Sequence, residues 1–311
     1  MTDMVTATVE TAPLACAETG GRVRDYIELL KPRVMSLVVF SGAVGLAVAP
    51  GHIHPLLGFV TILCIALSAG GCGAVNMWYD RDIDAVMIRT RNRPLPQGRV
   101  APETALEFGG ALIFAAVVLM WLAVNALAAA LLAFAAAFYV FVYTMGLKRR
   151  TPQNIVIGGA AGAFPPVIAW AAVTGQVGIQ AILLFLIIFF WTPPHFWALA
   201  LYRNEDYRRA GVPMMPVVKG ERRTKIEMLV YTLILFPLSL SPYFAGIGGP
   251  TYLIGAAVLS GFFIFCAVAV LRDKTHRAAK RMFAYSIFYL TMLLSLLLIE
   301  QLARPFLGML I

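Results

Sequence analysis

Residues 76–84 read Asn-Met-Trp-Tyr-Asp-Arg-Asp-Ile-Asp and follow directly on a long apolar run. Asn76, Asp80 and Asp84 are spaced four residues apart, so in a helix their side chains lie on one face, about 6 Å apart along the axis. Carboxylates this close repel each other unless a cation lies between them. Mg²⁺ prefers oxygen ligands and is often held by carboxylates together with substrate phosphates. The stretch therefore predicts a metal site.

Arginines follow this ladder at once, and they predict a phosphate site beside the metal. Arg81, Arg89 and Arg93 carry forked guanidinium donors of the kind that bind phosphate oxygens. The alternative is that these charges only mark where a helix leaves the bilayer. A helix end of that kind typically carries scattered Lys and Arg rather than a regular ladder of Asn and Asp, so we favour the functional interpretation.

The composition predicts an integral membrane protein of the all-α class. The 311 residues are 60% hydrophobic and only 13% charged, the mean hydropathy is +0.80, and soluble domains are about 25% charged. The net charge of +9 would also fit a nucleic-acid partner, but its distribution has another explanation given below, and we predict no nucleic acid. The four cysteines form no C-x-x-C pair, which argues against a zinc site or a disulfide framework.

Nine apolar segments are long enough to cross about 30 Å of hydrocarbon as helices. We predict them at residues 34–50, 56–76, 105–123, 126–145, 155–173, 179–200, 227–246, 251–271 and 283–302. They form one intramembrane domain over residues 25–305. We expect a disordered cytoplasmic tail over residues 1–24 and a short outside tail over residues 306–311.

The basic residues orient this bundle. With nine helices, all but one of the 25 Lys and Arg residues fall on the side of the amino terminus, and the exception is Arg304. The positive-inside rule then predicts a cytoplasmic amino terminus and an outside carboxyl terminus in a bacterial inner membrane. The two longest connections, residues 77–104 and 201–226, are both cytoplasmic and are the expected place for function.

The second long connection offers another polar helix end. Tyr202 and Asp206 are four residues apart, and His195 lies seven residues before Tyr202, so a continuous helix would place all three on one face. Of the four histidines in the sequence, His195 is the one that falls within a predicted span. It is either a core residue hydrogen-bonded to a neighbouring helix or a group that meets a ligand or moves a proton, because ionisable groups inside a bundle are usually functional.

Two features between the long connections have two interpretations each. The basic cluster that begins at Lys148 precedes Asn154 at the predicted start of a helix, where it either holds a phosphate or serves as an orientation signal. The small residues 158–163 form a face for close helix packing, and a thin wall there could equally admit a flat ligand.

Two polar helix ends at the inner membrane surface, with apolar walls behind them, suit a diphosphate that carries a long hydrocarbon tail. Mg²⁺ and arginine would neutralise the charge that grows on the leaving diphosphate. Aromatic faces such as those of Tyr79, Tyr202 and Tyr207 would stabilise the resulting carbocation. We also expect Tyr207 and Lys219 among the groups that contact the diphosphate.

These residues resemble the UbiA superfamily of intramembrane prenyltransferases, and in particular its haem-farnesylating members. The resemblance covers about residues 25–305 and rests on four motifs: the Asn76–Asp80–Asp84 ladder, residues 89–93 (Arg-Thr-Arg-Asn-Arg), residues 192–197 (Thr-Pro-Pro-His-Phe-Trp) and residues 206–217. It implies a nine-helix bundle with a cytoplasmic-side active site. It also implies farnesyl diphosphate as donor, haem B as acceptor, Mg²⁺ as cofactor and the membrane lipid as surroundings.

The resemblance also assigns residue roles. The expected catalytic residues are Asn76, Asp80, Asp84, Tyr202 and Asp206. The expected metal ligands are Asn76, Asp80, Asp84 and Asp206, the diphosphate contacts are Arg81, Arg89, Arg93, Lys148, Asn154, Tyr207 and Lys219, and His195 is expected to bind haem. The product would pass to a downstream haem A synthase.

One departure from the superfamily pattern concerns the metal. Many members carry a second D-x-x-x-D motif, whereas here Tyr202 takes the place of its first carboxylate, so Asp206 is expected to share one metal with the first motif. A complete second motif would favour the nearest alternative, a polyprenyltransferase acting on an aromatic acid or quinone precursor. A transporter would place charges near the bilayer midplane, and this chain keeps them at one surface.

Overall fold

The computed structural model describes residues 21–307, and every regular element in that part of the chain is a helix, as the composition predicts. The helices are α1 (Val23–Leu29), α2 (Pro32–Val48), α3 (Pro55–Tyr79), α4 (Arg81–Val86), α5 (Pro102–Ala123), α6 (Ala126–Ala137) with its π-helical continuation (Phe138–Leu147), α7 (Asn154–Ala163), α8 (Pro165–Thr174), α9 (Ile179–Tyr202), α10 (Asn204–Arg209), α11 (Met215–Val218), α12 (Glu221–Phe244), α13 (Pro250–Arg272) and α14 (Arg277–Leu307).

Within the described residues, eight helical stretches are long and apolar enough to cross a bilayer. The predicted first span corresponds to α2, which has 17 residues and lies at the lower limit of spanning length. It follows α1 at a bend of 56°, and the pair makes a ninth span if it crosses as one unit. The helices α12 and α14 begin at Glu221 and Arg277, earlier than the predicted segments, because their first turns carry the basic residues that hydropathy places outside the membrane.

The predicted tails differ in part from the described ends of the chain. Residues 1–20 of the expected amino-terminal tail lie outside the described residues, while α1 begins at Val23. The helix α14 runs through Leu307, past the predicted end of the domain at residue 305.

A hinge at Lys31 joins α1 to α2. Lys31 has φ 53° and ψ 54°, in the left-handed region, and Pro32, which begins α2, disfavours the right-handed helical conformation in the residue before it. Leu29 is fully buried against the carboxyl-terminal end of α3. Arg99 forms ion pairs with Asp25 and, at 3.2 Å, with Glu28. These contacts fix α1 against the loop that follows α4.

Glycines allow the helices to approach closely. A Cβ atom on Gly71 of α3 would lie 2.6 Å from the carbonyl oxygen of Gly109 on α5, and one on Gly159 of α7 would lie 2.8 Å from the Thr192 methyl group of α9. A Cβ atom on Gly158 would overlap the ring of Tyr143 in the π-helix. Gly158 and Gly159 therefore serve close helix packing, whereas a Cβ atom on Gly162 would meet nothing within 4 Å.

The two long connections pack against each other. Ile83 and Met87 from the first share one buried cluster with Tyr207, Val212 and Met214 from the second. Both polar helix ends therefore lie at the same end of the bundle. The two long connections cover that end of the bundle.

Candidate active site

The polar ladder lies where α3 meets α4. The α-helix ends at Tyr79, and Asp80 caps it with φ −92° and ψ 9°, yet the backbone bonds of a helix continue across the junction. The N–H of Asp80 donates to the Asn76 carbonyl at 3.0 Å, and the N–H of Asp84 donates to the Asp80 carbonyl at 2.8 Å. All three ladder residues are buried, and Asp80 is 0% exposed.

Each buried carboxylate of the ladder has a basic partner. Lys148 forms an ion pair with Oδ2 of Asp80, and a guanidinium nitrogen of Arg149 lies 3.6 Å from Oδ1. Arg93 donates to Oδ2 of Asp84 at 2.6 Å. Because buried charges need compensation, these cations balance the negative charge of both carboxylates. The site thus combines two carboxylates with three basic groups that could also contact an anion.

Both polar atoms of the Asn76 side-chain amide form hydrogen bonds. Its Oδ1 accepts a 2.7 Å hydrogen bond from Lys31 Nζ, and its Nδ2 donates to Asp80 at 2.8 Å and to the Thr144 hydroxyl at 3.2 Å. Thr144 is fully buried on the π-helix, a conformation that often occurs at functional sites. Sequence reasoning missed Thr144, and it counted Lys31 only as an orientation signal.

Five of the predicted diphosphate contacts form no hydrogen bond or ion pair with the ladder carboxylates, and they are Arg81, Arg89, Asn154, Tyr207 and Lys219. Arg81 donates to the Trp78 carbonyl at 2.7 Å and lies over the Trp78 ring. It lines a shallow cleft of about 410 Å³ with Trp78, Tyr79, Asp82 and Arg149. One residue along a helix turns the side chain by about 100°, which points Arg81 away from Asp80. Arg89 and Lys219 are exposed, and buried Asn154 donates to the backbone carbonyl of Thr151 at 2.7 Å.

Arg149 connects this cleft to the ladder. It forms two hydrogen bonds to the Asp82 carboxylate, at 2.8 and 2.7 Å, and it also contacts Asp80. The hydrogen bond from Arg149 lowers the pKa of Asp82 below its usual value, and the same bond raises the pKa of Arg149. The pair is therefore charged at neutral pH.

The second polar helix end is interrupted. The helix α9 ends at Tyr202, and Arg203 separates it from α10, so the condition under which His195, Tyr202 and Asp206 would share one helical face is not met. Tyr202 contacts the ring of Phe283 and the ammonium group of Lys280. Asp206 and Tyr207 are buried in α10, and Oδ2 of Asp206 has no hydrogen-bond partner among the described residues.

The four predicted metal ligands do not form a ready-made metal site. In the described part of the chain, no three His, Cys, Asp or Glu side chains lie close enough together to hold a metal ion, since Asp80 and Asp84 are turned towards basic partners. The donor set nevertheless fits Mg²⁺, because Oδ1 of Asp80 and Oδ2 of Asp206 are buried carboxylate oxygens without hydrogen-bond partners and Mg²⁺ prefers such ligands.

His195 lies between aromatic rings in α9. Its ring stacks on Trp191 with centroids 4.4 Å apart and on Phe283 of α14 at 4.7 Å. Its Nδ1 lies 2.6 Å from the hydroxyl of Ser286. This is the bond to a neighbouring helix expected of a core histidine, and it involves one of the two ring nitrogens.

Comparison with known proteins gives consistent results. Residues 38–296 match the UbiA prenyltransferase family. The chain is 56% identical over 306 residues to the protoheme IX farnesyltransferase of Acidiphilium cryptum, covering 96% of both chains. It is 58% identical over 285 residues to the protoheme IX farnesyltransferase of Parvibaculum lavamentivorans, covering 90% of both.

Solved structures show the same fold. The chain is similar to a digeranylgeranylglyceryl phosphate synthase with a TM-score of 0.75 at 20% identity, covering 89% of this chain and 98% of that one. It is also similar to a UbiA homologue from Archaeoglobus fulgidus bound to DMAPP and Mg²⁺, with a TM-score of 0.60 at 17% identity and coverage of 88% and 99%.

Proposed function

Because the chain belongs to the UbiA prenyltransferase family, we propose that it transfers the farnesyl group of farnesyl diphosphate to a vinyl group of haem B (protohaem IX). The acceptor and donor rest on relatives that are 52–58% identical over at least 90% of this chain and are named protoheme IX farnesyltransferase. The reaction adds one water and yields haem O and diphosphate.

The observation that supports a diphosphate substrate is the buried cluster of charges at the carboxyl-terminal end of α3. Asp80 and Asp84 are surrounded by Lys148, Arg149 and Arg93, and both long loops pack over this end of the bundle. The basic groups would exchange their carboxylate partners for phosphate oxygens when the substrate enters. Lys31 adds a further ammonium group through its contact with Asn76.

Mg²⁺ would be held by Asp80, Asp84 and Asp206, with Asn76 assisting, as the hard oxygen donors of these residues allow. When bound, it supplies positive charge that stabilises the leaving diphosphate as the allylic C–O bond breaks. The structure determined with DMAPP and Mg²⁺ for a protein of this fold supports this assignment. Lys148 and Arg93 would neutralise the remaining oxygens and keep water from the carbocation.

The second half of the reaction joins the farnesyl cation to the haem. The terminal carbon of a haem vinyl group bonds to C1 of the farnesyl cation, which leaves positive charge on the carbon next to the porphyrin ring. Water adds there and loses one proton, so the product carries a hydroxyethylfarnesyl group. Aromatic faces stabilise such cations, and we propose this role for Tyr79, Tyr202 and Tyr207.

The distribution of basic residues supports a cytoplasmic amino terminus and a carboxyl terminus on the outside of a bacterial inner membrane. The product would then pass to a downstream haem A synthase in the same membrane. An aromatic acceptor is less favoured, since Tyr202 replaces the carboxylate that a second full acidic motif requires.

The test uses the purified full-length chain in detergent with Mg²⁺, farnesyl diphosphate and haem B. We expect a haem product heavier by one farnesyl group and one hydroxyl group, and loss of that product when EDTA removes the metal. A parallel reaction offers 4-hydroxybenzoate instead of haem B. Unchanged haem together with a prenylated benzoate would contradict the proposal.

A further inference from the structure

Ser286 determines which nitrogen of His195 carries the proton. Nδ1 of His195 lies 2.6 Å from Ser286 Oγ, and Ser286 Oγ donates its own hydrogen to the Phe283 carbonyl at 2.6 Å. A hydroxyl group has a single hydrogen to donate. Ser286 must therefore accept from His195, so the proton of the neutral ring is on Nδ1 and the lone pair is on Nε2.

Three aromatic rings contact His195, and one of them, Phe196, is perpendicular to the imidazole, with centroids 5.1 Å apart. Trp191 and Phe283 stack on His195 at interplanar angles of 18° and 23°, and at these distances two rings cannot share one face. Both faces of the imidazole are therefore covered. A ligand of His195 must approach in the plane of the ring, at Nε2, for which the described residues supply no hydrogen-bond partner.

The hydrogen bonds and stacked rings around His195 join α9 to α14. Ser286 is 0% exposed, and its backbone carbonyl accepts a 2.8 Å hydrogen bond from the Trp191 indole nitrogen. Ser286 thus holds both the histidine and the ring stacked on it. A hydrogen-bonded core histidine also has a fixed tautomer, but here Nε2 has no partner among the described residues, and a metal-binding histidine almost always donates its other N–H to a fixed oxygen.

We propose that Ser286 is a positioning residue that presents Nε2 of His195 as an in-plane ligand for haem iron. The haem rests on the proposed function, and neutral imidazole is a common axial ligand of haem iron. Phe196, the next residue, points about 100° away from His195 around α9 and packs on the buried cluster that contains Ile83 and Tyr207.

Ferric haem B alone is the probe, titrated into the purified full-length chain without farnesyl diphosphate. Absorption and electron paramagnetic resonance spectra report the iron ligand, and the titration gives the affinity. The variants are Ser286→Ala, Ser286→Thr and His195→Phe, the last of which keeps a ring between Trp191 and Phe283. Ser260→Ala is the control, because Ser260 is equally buried on α13 and contacts Tyr289 instead.

We expect Ser286→Ala to weaken haem binding by about 10-fold to 100-fold, the usual effect of removing an outer partner of a histidine ligand. Ser286→Thr should restore the affinity, His195→Phe should lose the nitrogen-ligated spectrum, and Ser260→Ala should match the wild type. Wild-type spectra and affinity in both Ser286→Ala and His195→Phe would overturn the inference, even if the chain farnesylates haem. Nitrogen ligation that these variants remove, in a chain that does not farnesylate haem, would support the inference and reject the proposed function.

Discussion

Lys31 Nζ lies 2.7 Å from Oδ1 of Asn76, although 45 residues separate them along the chain. The contact exists because the left-handed backbone at Lys31 turns α2 away from α1 and because Gly73 leaves room on α3, where the Lys31 side chain passes. A residue at the start of the first span therefore belongs to the candidate site.

Replacing Lys31 with methionine should raise the KM for farnesyl diphosphate by about 10-fold or more, since a hydrogen bond to a charged group contributes about 1.5–3 kcal/mol and 1.4 kcal/mol is a factor of ten. Initial rates at saturating haem measure this. Arg33→Met is the matched control, because Arg33 is exposed nearby on α2. Equal KM values for the two variants would remove Lys31 from the substrate site.

Asp80→Asn and Asp84→Asn should each lower turnover by on the order of 10²–10³-fold, the usual cost of losing a group that stabilises developing charge. The protein should remain folded, because asparagine keeps the shape of the side chain. Product formation and size-exclusion profiles check both points. Asp82→Asn, an exposed carboxylate of the same stretch, should retain most activity, and equal losses in all three variants would contradict a specific role for the ladder.

Gly158→Ala should destabilise the protein by about 1–3 kcal/mol, because the new methyl group overlaps the Tyr143 ring in a packed interface. Gly162→Ala on the same helix meets no atom within 4 Å and should be neutral or stabilise by up to about 1 kcal/mol, since alanine favours helix. Thermal unfolding in detergent compares the two. A similar midpoint for both would show that α7 can move away from the π-helix.

The connection between α13 and α14 should lose stability in acid. Asp273 accepts backbone hydrogen bonds from Thr275 and Ala278, which lower its pKa to about 2. A depressed pKa means that the ionised group stabilises the fold above the unfolded pKa, near 4, and that this contribution disappears as pH falls towards 2. The difference in unfolding midpoint between wild type and Asp273→Asn should therefore be constant above about pH 5 and shrink below pH 4. A difference that does not change with pH would contradict this.

Local patterns predicted the parts of this molecule that local physics controls. The length of the apolar segments predicted the helices, and the four-residue spacing of Asn76, Asp80 and Asp84 predicted the buried ladder. Both patterns depend only on residues that are close together in the sequence. Arg81 stays a predicted diphosphate contact, although helix geometry alone turns it about 100° from Asp80. The sequence left open whether α9 continues to Asp206, because no proline or glycine marks the break at Arg203.

The remaining contacts depend on how distant segments pack. Thr144 reaches Asn76 from a π-helix, and no residue type in that segment distinguishes a π-helix from an α-helix. Ser286 reaches His195 across 91 residues. An isolated serine in an apolar run gives no signal of such a partner, and only the pairing of α9 with α14 reveals it.

Two partners of His195, Phe283 and Ser286, come from α14, whereas the carboxylates and their cations all precede α12. During synthesis from the amino terminus, the chamber for the diphosphate can assemble while α14 is still inside the ribosome. The contacts of Ser286 and Phe283 with His195 form only when α14 inserts. A nascent chain would thus acquire its anion pocket first and its second substrate's pocket last.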